Sequence, residues 1–498
     1  MPLSKSKYCT FLQCPKALWL SEYKNDLAKD DPTAESQIQA GIKVGELARG
    51  LFGKYTDVTS RNGDGELDLD KMISLTSSMI FKGENVICEA SFSHGGCFCS
   101  VDILRRENGG YAIYEVKAST HANEIYMCDI AYQKYVLQSL GVKVTGTYLI
   151  HINAGYVFNG ALDLNGFFRI DDVSVRVEKH YRSVAENVLR ASTVLERKTE
   201  PDCDISEKCN QPHICPFWSY CARYLPKPSV FDLYRLGFDK KIQLYRCGTV
   251  DISDFKGDGG KCTIRELQIR HTLNDLPTHT DKKGIAKFLS TLSYPLYFLD
   301  FETMQLPIPE YTGTHPYSQV PFQYSLHYIE KEGGEIMHKE FLAQSGTDPR
   351  YELAERLCGD IPKNVCVLAY NKSFECGRIK ELAQDVPEMS EHLLNIADNI
   401  KDLIDPFRAG YYYNRAMGAS LSIKSVLPAI YPNDPSLDYG SLSVVHNGSE
   451  AMDVFPRIKD MMPEQAQAVR QGLLEYCKLD TYAMVKVWQE LTRVVREL

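Results

Sequence analysis

Residues 100–119 read Ser-Val-Asp-Ile-Leu-Arg-Arg-Glu-Asn-Gly-Gly-Tyr-Ala-Ile-Tyr-Glu-Val-Lys-Ala-Ser. Two runs rich in Val, Ile, Leu and Tyr flank Asn108-Gly109, a pair that favours the two-residue turn of a β-hairpin. Counting outward from that turn sets Glu107 opposite Gly110 and Asp102 opposite Glu115. Directly opposed residues share a face, with Cβ atoms roughly 4.5–5.5 Å apart. Lys117, two residues beyond Glu115, joins that face by the strand period. A register slip of one residue would send Asp102 to the other face, whereas a slip of two would not. Two carboxylates and an ammonium are therefore expected to converge. A half-exposed hairpin with an ion pair on its polar face is one reading. The other is a phosphodiester-hydrolysing site: the carboxylates suit Mg²⁺ or Mn²⁺, and the ammonium offsets charge building at phosphate. The convergence of all three groups on one turn register favours the second.

The 498-residue chain is long enough for two or three domains, and its 44% hydrophobic and 24% charged content is that of an ordinary globular protein. No secretory leader and no apolar run of membrane-spanning length is visible, so a cytoplasmic location without a membrane partner is expected. The net charge of −9 argues against bulk attraction to nucleic acid but leaves room for a local basic groove. Sixteen cysteines in such a chain point to a metal or cluster site rather than a disulfide framework.

Residues 8–20 predict a short loop entering an amphipathic helix, with Cys14-Pro15 near its start. A helix follows over 34–52, with Glu46 beside the apolar stripe. A strand over 86–92 contains Glu89, a helix over 125–140 carries Asp129, Gln133 and Tyr135, and 144–152 is a further strand. This order fits an α/β core. After a helix beginning near Val173, Cys209, Cys215 and Cys221 recur at even spacing, with Cys203 just upstream. Thiolates so clustered suit an iron–sulfur cluster or Zn²⁺, with His213 a further candidate for Zn²⁺. Residues 227–289 read as a small helical connector, with 244–255 a compact helix–turn–helix-like piece.

The second half opens on Tyr297–Thr303, Tyr-Phe-Leu-Asp-Phe-Glu-Thr, a buried strand with Asp300 and Glu302 on one face. Burying two carboxylates there is costly unless a metal compensates them. Strands are expected over 322–329, 337–342 and 365–370. Asn371-Lys-Ser-Phe-Glu375 then opens a helix, and a helix over 473–491 sets Tyr476 and Asp480 on one face. Asp402 and Asp405 are nearby acidic alternatives. Tyr411–Tyr413 before Arg415 suit either base stacking or core packing, and Lys424 is a candidate for approaching substrate.

Asp102 with Glu115-Val116-Lys117 resembles the PD-(D/E)XK nucleases, Val101 standing where the formal motif has Pro. The Cys14-Pro15-Lys16-Ala17-Leu18-Trp19 opening, the Gly41–Ala48 helix segment and Glu89-Ala90 narrow the likeness to the RecB-like branch, which includes iron–sulfur nucleases of CRISPR adaptation and the AddAB nuclease domain. The resemblance implies Asp102 and Glu115 as metal ligands and Lys117 as a catalytic residue, with Glu46, Glu89 and Gln133 as accessory candidates. Gly45 stands where many relatives carry His, and Leu137 where the Gln-x-x-x-Tyr motif has Tyr. It also implies a 4Fe-4S cluster on Cys14, Cys209, Cys215 and Cys221, with Cys203 in reserve and Zn²⁺ as the alternative. The Asp-x-Glu strand, the Asn-x-x-Phe-Glu helix start and Tyr476-x-x-x-Asp480 are similar to the tyrosine subclass of DnaQ-like exonucleases, which have an RNase H-like fold. That likeness implies that Asp300, Glu302, Glu375 and Asp480 hold two divalent ions and that Tyr476 aims the attacking water. Glu375 replaces the usual Asp, and Asp405 is an accessory alternative. The whole resembles an uncharacterised bacterial family with this fusion. The expected architecture is α/β, with a restriction-endonuclease-like nuclease over 1–225, a connector over 226–290 and an RNase H-like domain over 291–498. The expected activity is Mg²⁺- or Mn²⁺-dependent cleavage of nucleic acid, DNA ahead of RNA, by exonuclease action on single strands or ends, in repair, recombination or defence against foreign DNA. The alternative is a metal-stapled nucleic-acid-binding or scaffold protein with one or both sites inactive.

Overall fold

The computed structural model describes residues 2–29, 34–257, 259 and 262–497. Residues 258 and 260 of the glycine-rich stretch 257–260 lie outside the described residues. The chain is mixed α/β and divides into two units, Met1–Tyr224 with Pro307–Tyr317, and Leu225–Leu306 with Ser318–Leu498. The expected connector therefore clusters with the second unit, and residues 307–317 cluster with the first.

The first unit runs β1 (Leu3–Ser4), α1 (Lys5–Gln13), α2 (Pro15–Tyr23), α3 (Ala34–Arg49), β2 (Thr56–Asp57), α4 (Leu69–Lys82), β3 (Val86–His94), β4 (Cys97–Glu107), β5 (Gly110–Lys117), α5 (Glu124–Ser139), β6 (Val144–Ile152), α6 (Leu164–Phe167), β7 (Phe168–Asp172), α7 (Ser174–Tyr181), α8 (Val184–Leu195) and α9 (Trp218–Cys221). Its sheet has the order β2-β3-β4-β5-β6-β7, with β1 pairing β4. Ile87, Leu104 and Ile113 face one core cluster while their neighbours Cys88, Ile103 and Ala112 face another. Burial on both faces is why these strands read as near-continuous apolar runs.

Asn108 and Gly109 have φ of 50° and 71°, the left-handed pair that a tight hairpin turn requires, and Glu107 pairs with Gly110. The ladder continues to Ile103 opposite Tyr114 and then opens. Further along β4, β1 takes over as a parallel partner at Cys97 and Phe98. Asp102 sits in the fork between these two pairings, and Lys5 follows directly after β1. The loop expected over residues 8–13 is instead helical. Ser4 caps α1 by accepting from the Lys7 N–H, and the chain breaks only at Cys14, which is extended (φ −159°, ψ 123°) before Pro15 opens α2.

The second unit runs α10 (Phe238–Arg246), α11 (Thr263–Leu273), β8 (His279–Thr280), α12 (Lys282–Leu289), β9 (Leu296–Gln305), β10 (Gln319–Ile329), β11 (Met337–Leu342), α13 (Arg350–Asp360), β12 (Cys366–Ala369), α14 (Ser373–Asp385), α15 (Ser390–Asp398), β13 (Ile400–Asp402), α16 (Asp405–Arg408), β14 (Tyr412–Tyr413), α17 (Ile423–Ile430), α18 (Gly448–Val454) and α19 (Pro463–Arg496). The five-stranded sheet has the order β11-β10-β9-β12-β13. β9, β10 and β11 are antiparallel, whereas β12 runs parallel to both β9 and β13. α19 is longer than the expected 473–491 because Pro463 starts it at a position where proline costs no hydrogen bond. Over 244–255 there is no helix pair: α10 ends at Arg246 and only a single 3₁₀ turn, Ile252–Asp254, follows. Among the described residues no helix is long and apolar enough to cross a membrane.

Candidate active sites

At the first site the fork in the sheet frees the Val116 N–H from a strand partner, and Asp102 Oδ2 accepts it at 2.7 Å. This fixes Asp102 at the strand opening. Glu115, fully buried on β5, accepts from Lys117 Nζ at 2.6 Å, Lys5 Nζ at 3.0 Å and Gln133 Nε2 at 2.7 Å. Lys5 also lies 3.7 Å from Asp102 Oδ1. Asp129 on α5 accepts from Lys117 Nζ at 2.9 Å and from Gln133 Nε2 at 3.0 Å. Three carboxylates thus meet two ammonium groups. Burial opposes the charge on Lys5 and Lys117, but the surrounding carboxylates outweigh it and raise both pKa values. Burial would likewise raise Asp129, yet Lys117 and Lys5 hold it well below the usual carboxylate range. Glu115, the most enclosed and facing both Asp102 and Asp129, is pushed up to about 7. Gln133 Oε1 is buried with no hydrogen-bond partner, an acceptor left open beside the cluster.

Of the accessory candidates here, Gln133 is in direct contact. Glu89 is partly buried on β3, adopts φ of 55° inside a strand and accepts from Arg49 Nη2 at 2.9 Å. A left-handed non-glycine residue in a strand stores strain of the kind that gathers at functional sites. Glu46 is exposed on α3.

At the second site, Asp300 and Glu302 on β9 and Cys477 on α19 place ligand atoms all within 4.8 Å of one another. Tyr439 donates to Asp480 Oδ1 at 2.6 Å, and Lys424 Nζ donates to the Tyr476 hydroxyl at 2.9 Å. Glu375, 3% exposed at the start of α14, has Oε2 buried without a hydrogen-bond partner. Burial first, then mutual repulsion with Asp480, Glu302 and Glu375, raises Asp300 well above its ordinary value. Glu302 is raised by burial and Asp480, Asp480 by burial, and Glu375 by burial to about 8. Four carboxylates here face a single ammonium, that of Lys424. They line or adjoin a cavity of about 820 Å³ whose wall includes Asp300, Glu302, Lys424, Tyr476 and Asp480 and, elsewhere, Tyr234, Arg235, Tyr370, Asn371 and Arg408.

Asp402 lies near enough to Glu375 for its charge to help raise that carboxyl, whereas Asp405 is not among the residues lining the cavity. Asp402 is buried and held by Arg408 Nη1 at 3.0 Å and the Asn371 N–H at 2.8 Å, while Asp405 is exposed beside Arg408. Tyr412 and Tyr413 are buried in the small β8–β14 sheet, so packing rather than base stacking accounts for them, and Arg415 pairs with Asp275.

Cys14, Cys203, Cys209, Cys215 and Cys221 line one small pocket. Cys14 sits at the break between α1 and α2. Burial raises the Cys203, Cys209, Cys215 and Cys221 thiols, the last to about 11. His213 is exposed. The five thiols do not meet the 4.8 Å spacing that Asp300, Glu302 and Cys477 meet.

Sequence reasoning missed Lys5, Asp129, Cys477 and Tyr439 as site residues. Asp129 and Gln133 are four apart on a helix, and Cys477 and Asp480 three apart, so helical spacing signalled both pairs. Lys5 and Tyr439 carry no local signal, because each reaches its site through a long-range contact.

Residues 297–422 match a family described as Domain of unknown function (DUF2779). That span takes in Asp300, Glu302 and Glu375 and stops before Tyr476 and Asp480. The chain is also similar to Uncharacterized protein UU173 of Ureaplasma parvum serovar 3, with 27% identity over 240 residues, covering 43% of this chain and 33% of that protein. The match therefore spans about a third of the length of that relative.

Proposed function

We propose that this protein is a divalent-metal-dependent nuclease, with the acidic cavity of the second unit as its principal cutting site. The observation carrying the reading is the uncompensated charge of Asp300, Glu302, Glu375 and Asp480 around an open cavity, with an orphaned buried oxygen on Glu375. Such a set fits hard divalent cations such as Mg²⁺ or Mn²⁺, with Asp300, Glu302, Glu375 and Asp480 as the holding residues. When bound, those ions would offset the charge of the scissile phosphate and activate water for attack. Tyr476, anchored by Lys424, orients that water through its hydroxyl, and Tyr439 fixes the rotamer of Asp480. At the first site Asp102 and Glu115 would hold the metal while Lys117, and Lys5 beside it, stabilise charge on phosphate. On this reading the first unit would be restriction-endonuclease-like and the second RNase H-like, and the mixed α/β sheets of both units are compatible with that.

The cysteine pocket fits a structural cluster that staples Cys14 to the segment after the core. A single tetrahedral Zn²⁺ would bring its sulfurs within about 3.8 Å of one another, given Zn–S bonds of about 2.3 Å. A polynuclear iron–sulfur cluster on Cys14, Cys209, Cys215 and Cys221, with Cys203 in reserve, is the reading that the resemblance to the RecB-like branch favours. Iron and sulfide content of an anaerobic preparation tests this; a colourless protein with zinc alone overturns it.

The test of function is cleavage of labelled single- and double-stranded DNA and RNA with Mg²⁺ or Mn²⁺ by wild type, Asp102→Ala and Asp300→Ala. Independent sites leave each variant with the other's activity. Loss of all cleavage in either variant alone would sink two independent nucleases, and a wild type that binds strands but never cuts would make the protein a scaffold.

A further inference from the structure

The connector supplies a feature of the acidic cavity that no resemblance assigns. Tyr234 and Arg235 form part of its wall, and Arg235 adopts φ of 47°. A non-glycine residue holds that conformation only when its surroundings fix it. They do so here through α11. Arg265, 6% exposed, donates from Nε to the Tyr234 carbonyl and from Nη2 to the Arg235 carbonyl, both at 2.9 Å. Gln268, 4% exposed, accepts from the Tyr234 N–H at 2.8 Å and donates to the Asp232 carbonyl at 2.7 Å. Two buried side chains thus hold one turn, and the residue they aim, Arg235, is exposed with no ion pair among the described residues; its guanidinium lies 5.4 Å from the Tyr234 ring.

Another stretch of the wall is built in the same way. Asn371, also on the wall, adopts φ of 72°, its N–H held by Asp402 and its side chain by Arg408 Nη2 at 2.7 Å. The Tyr370 phenol is near enough to Arg408 and Tyr234 to feel both. One part of the cavity wall is therefore a carboxylate cluster that needs cations, and another carries two guanidinium groups, that of Arg235 on a locked, left-handed residue and that of helical Arg408 bonded to left-handed Asn371. Arg408 is already neutralised by Asp402; Arg235 is not.

We propose that Arg235, aimed by Arg265 and Gln268, binds a backbone phosphate of a single-stranded nucleic acid neighbouring the phosphate held at the carboxylate end. This rests on the nuclease reading for the second phosphate only. Guanidinium donors arranged as a fork suit phosphate oxygens, and each such contact releases counterions and sets a measurable salt dependence.

The test uses the full chain, a fluorescent dT₁₂ oligonucleotide and Ca²⁺, with binding measured across a salt series. R235A is expected to weaken binding about tenfold at 0.15 M salt and to lower the slope of log K against log salt by about 0.7, the value for one phosphate contact on a single strand. R235K keeps the slope by retaining charge, and K380A, an exposed cation outside the cavity wall, changes neither quantity. A wild-type slope in R235A, or a wild type that does not bind the strand, overturns the proposal. If wild type cuts DNA and R235A binds normally, the subsite falls and the nuclease stands. If nothing is cut yet R235A loses affinity and slope, the subsite stands and the nuclease falls.

Discussion

The two acidic clusters hold their charge in opposite ways. Ammonium groups from Lys5 and Lys117 hydrogen-bond Glu115 and Asp129, Lys5 also lies 3.7 Å from Asp102, and Asp129 is stabilised as a carboxylate despite burial. At Asp300, Glu302, Glu375 and Asp480, all four acids are raised, because burial and mutual repulsion find one ammonium in reply, itself engaged by Tyr476. A buried carboxylate is tolerable when paired and costly when not. The first cluster carries its counterions in the chain, whereas the second leaves them to be supplied. Lys5 also stands between Asp102 and Glu115, so any cation bound there must share or displace it.

The sharpest way to break this comparison is activity. Asp300→Ala is expected to lower Mn²⁺-dependent cleavage by about tenfold or more, down to the activity of the first site, since it removes a ligand from an uncompensated set, while Asp102→Ala leaves most of it. The reverse order of losses in a gel assay would move the principal site to the first unit.

Stability without metal should then respond with opposite sign. In EDTA, Asp129→Asn is expected to destabilise by about 2–3 kcal/mol, because Lys117 loses its buried partner. Glu302→Gln is expected to stabilise by about 1 kcal/mol, through relief of repulsion. The gain should grow with pH: a carboxylate whose folded pKa lies above its unfolded value destabilises the fold once it ionises. Urea unfolding of the two variants measures both; the same sign in both ends the contrast.

A further test lies in the second sheet. His327 on β10 and His338 on β11 are held neutral by burial, at about 3 and about 4. His327 Nδ1 shares a hydrogen bond with Thr481 at 2.8 Å, and His338 Nε2 with Ser325 at 3.0 Å. Their folded pKa values lie below the unfolded value of about 6.5, so stability is complete above that pH and falls as the unfolded chain takes up protons below it. By pH 5 each is expected to cost about 2 kcal/mol, and His327→Gln should flatten that part of the pH–stability curve. The smallest effect belongs to the hairpin that sets the first site. Gly109→Ala meets no atom closer than Lys143 Nζ at 3.9 Å, so only its φ of 71° resists, at about 1 kcal/mol by thermal melting.

Local rules reached far into both sites. The Asn108-Gly109 turn put Asp102, Glu115 and Lys117 together, because hairpin register follows from turn length. Strand period paired Asp300 with Glu302, and helical period paired Tyr476 with Asp480. The same rules misread residues 8–13 as a loop and 244–255 as a helix pair, where capping at Ser4 and the end of α10 at Arg246 decided otherwise. Asp405 fitted the chemistry by type but is exposed beside Arg408, a matter of helix orientation that periodicity does not set.

The sequence alone therefore determined the mixed α/β alternation and the acids that lie within one turn, one strand or one helix of each other, because those neighbours are fixed by backbone geometry over a few residues. Only the tertiary structure decided which charges answer them. Lys5 arrives because β1 pairs with β4, Lys424 because α17 packs beside α19, and Arg235 because buried Arg265 and Gln268 hold its turn. These partners are 30 to 110 residues distant in the chain or come from separate elements, and electrostatic balance depends on distance in space.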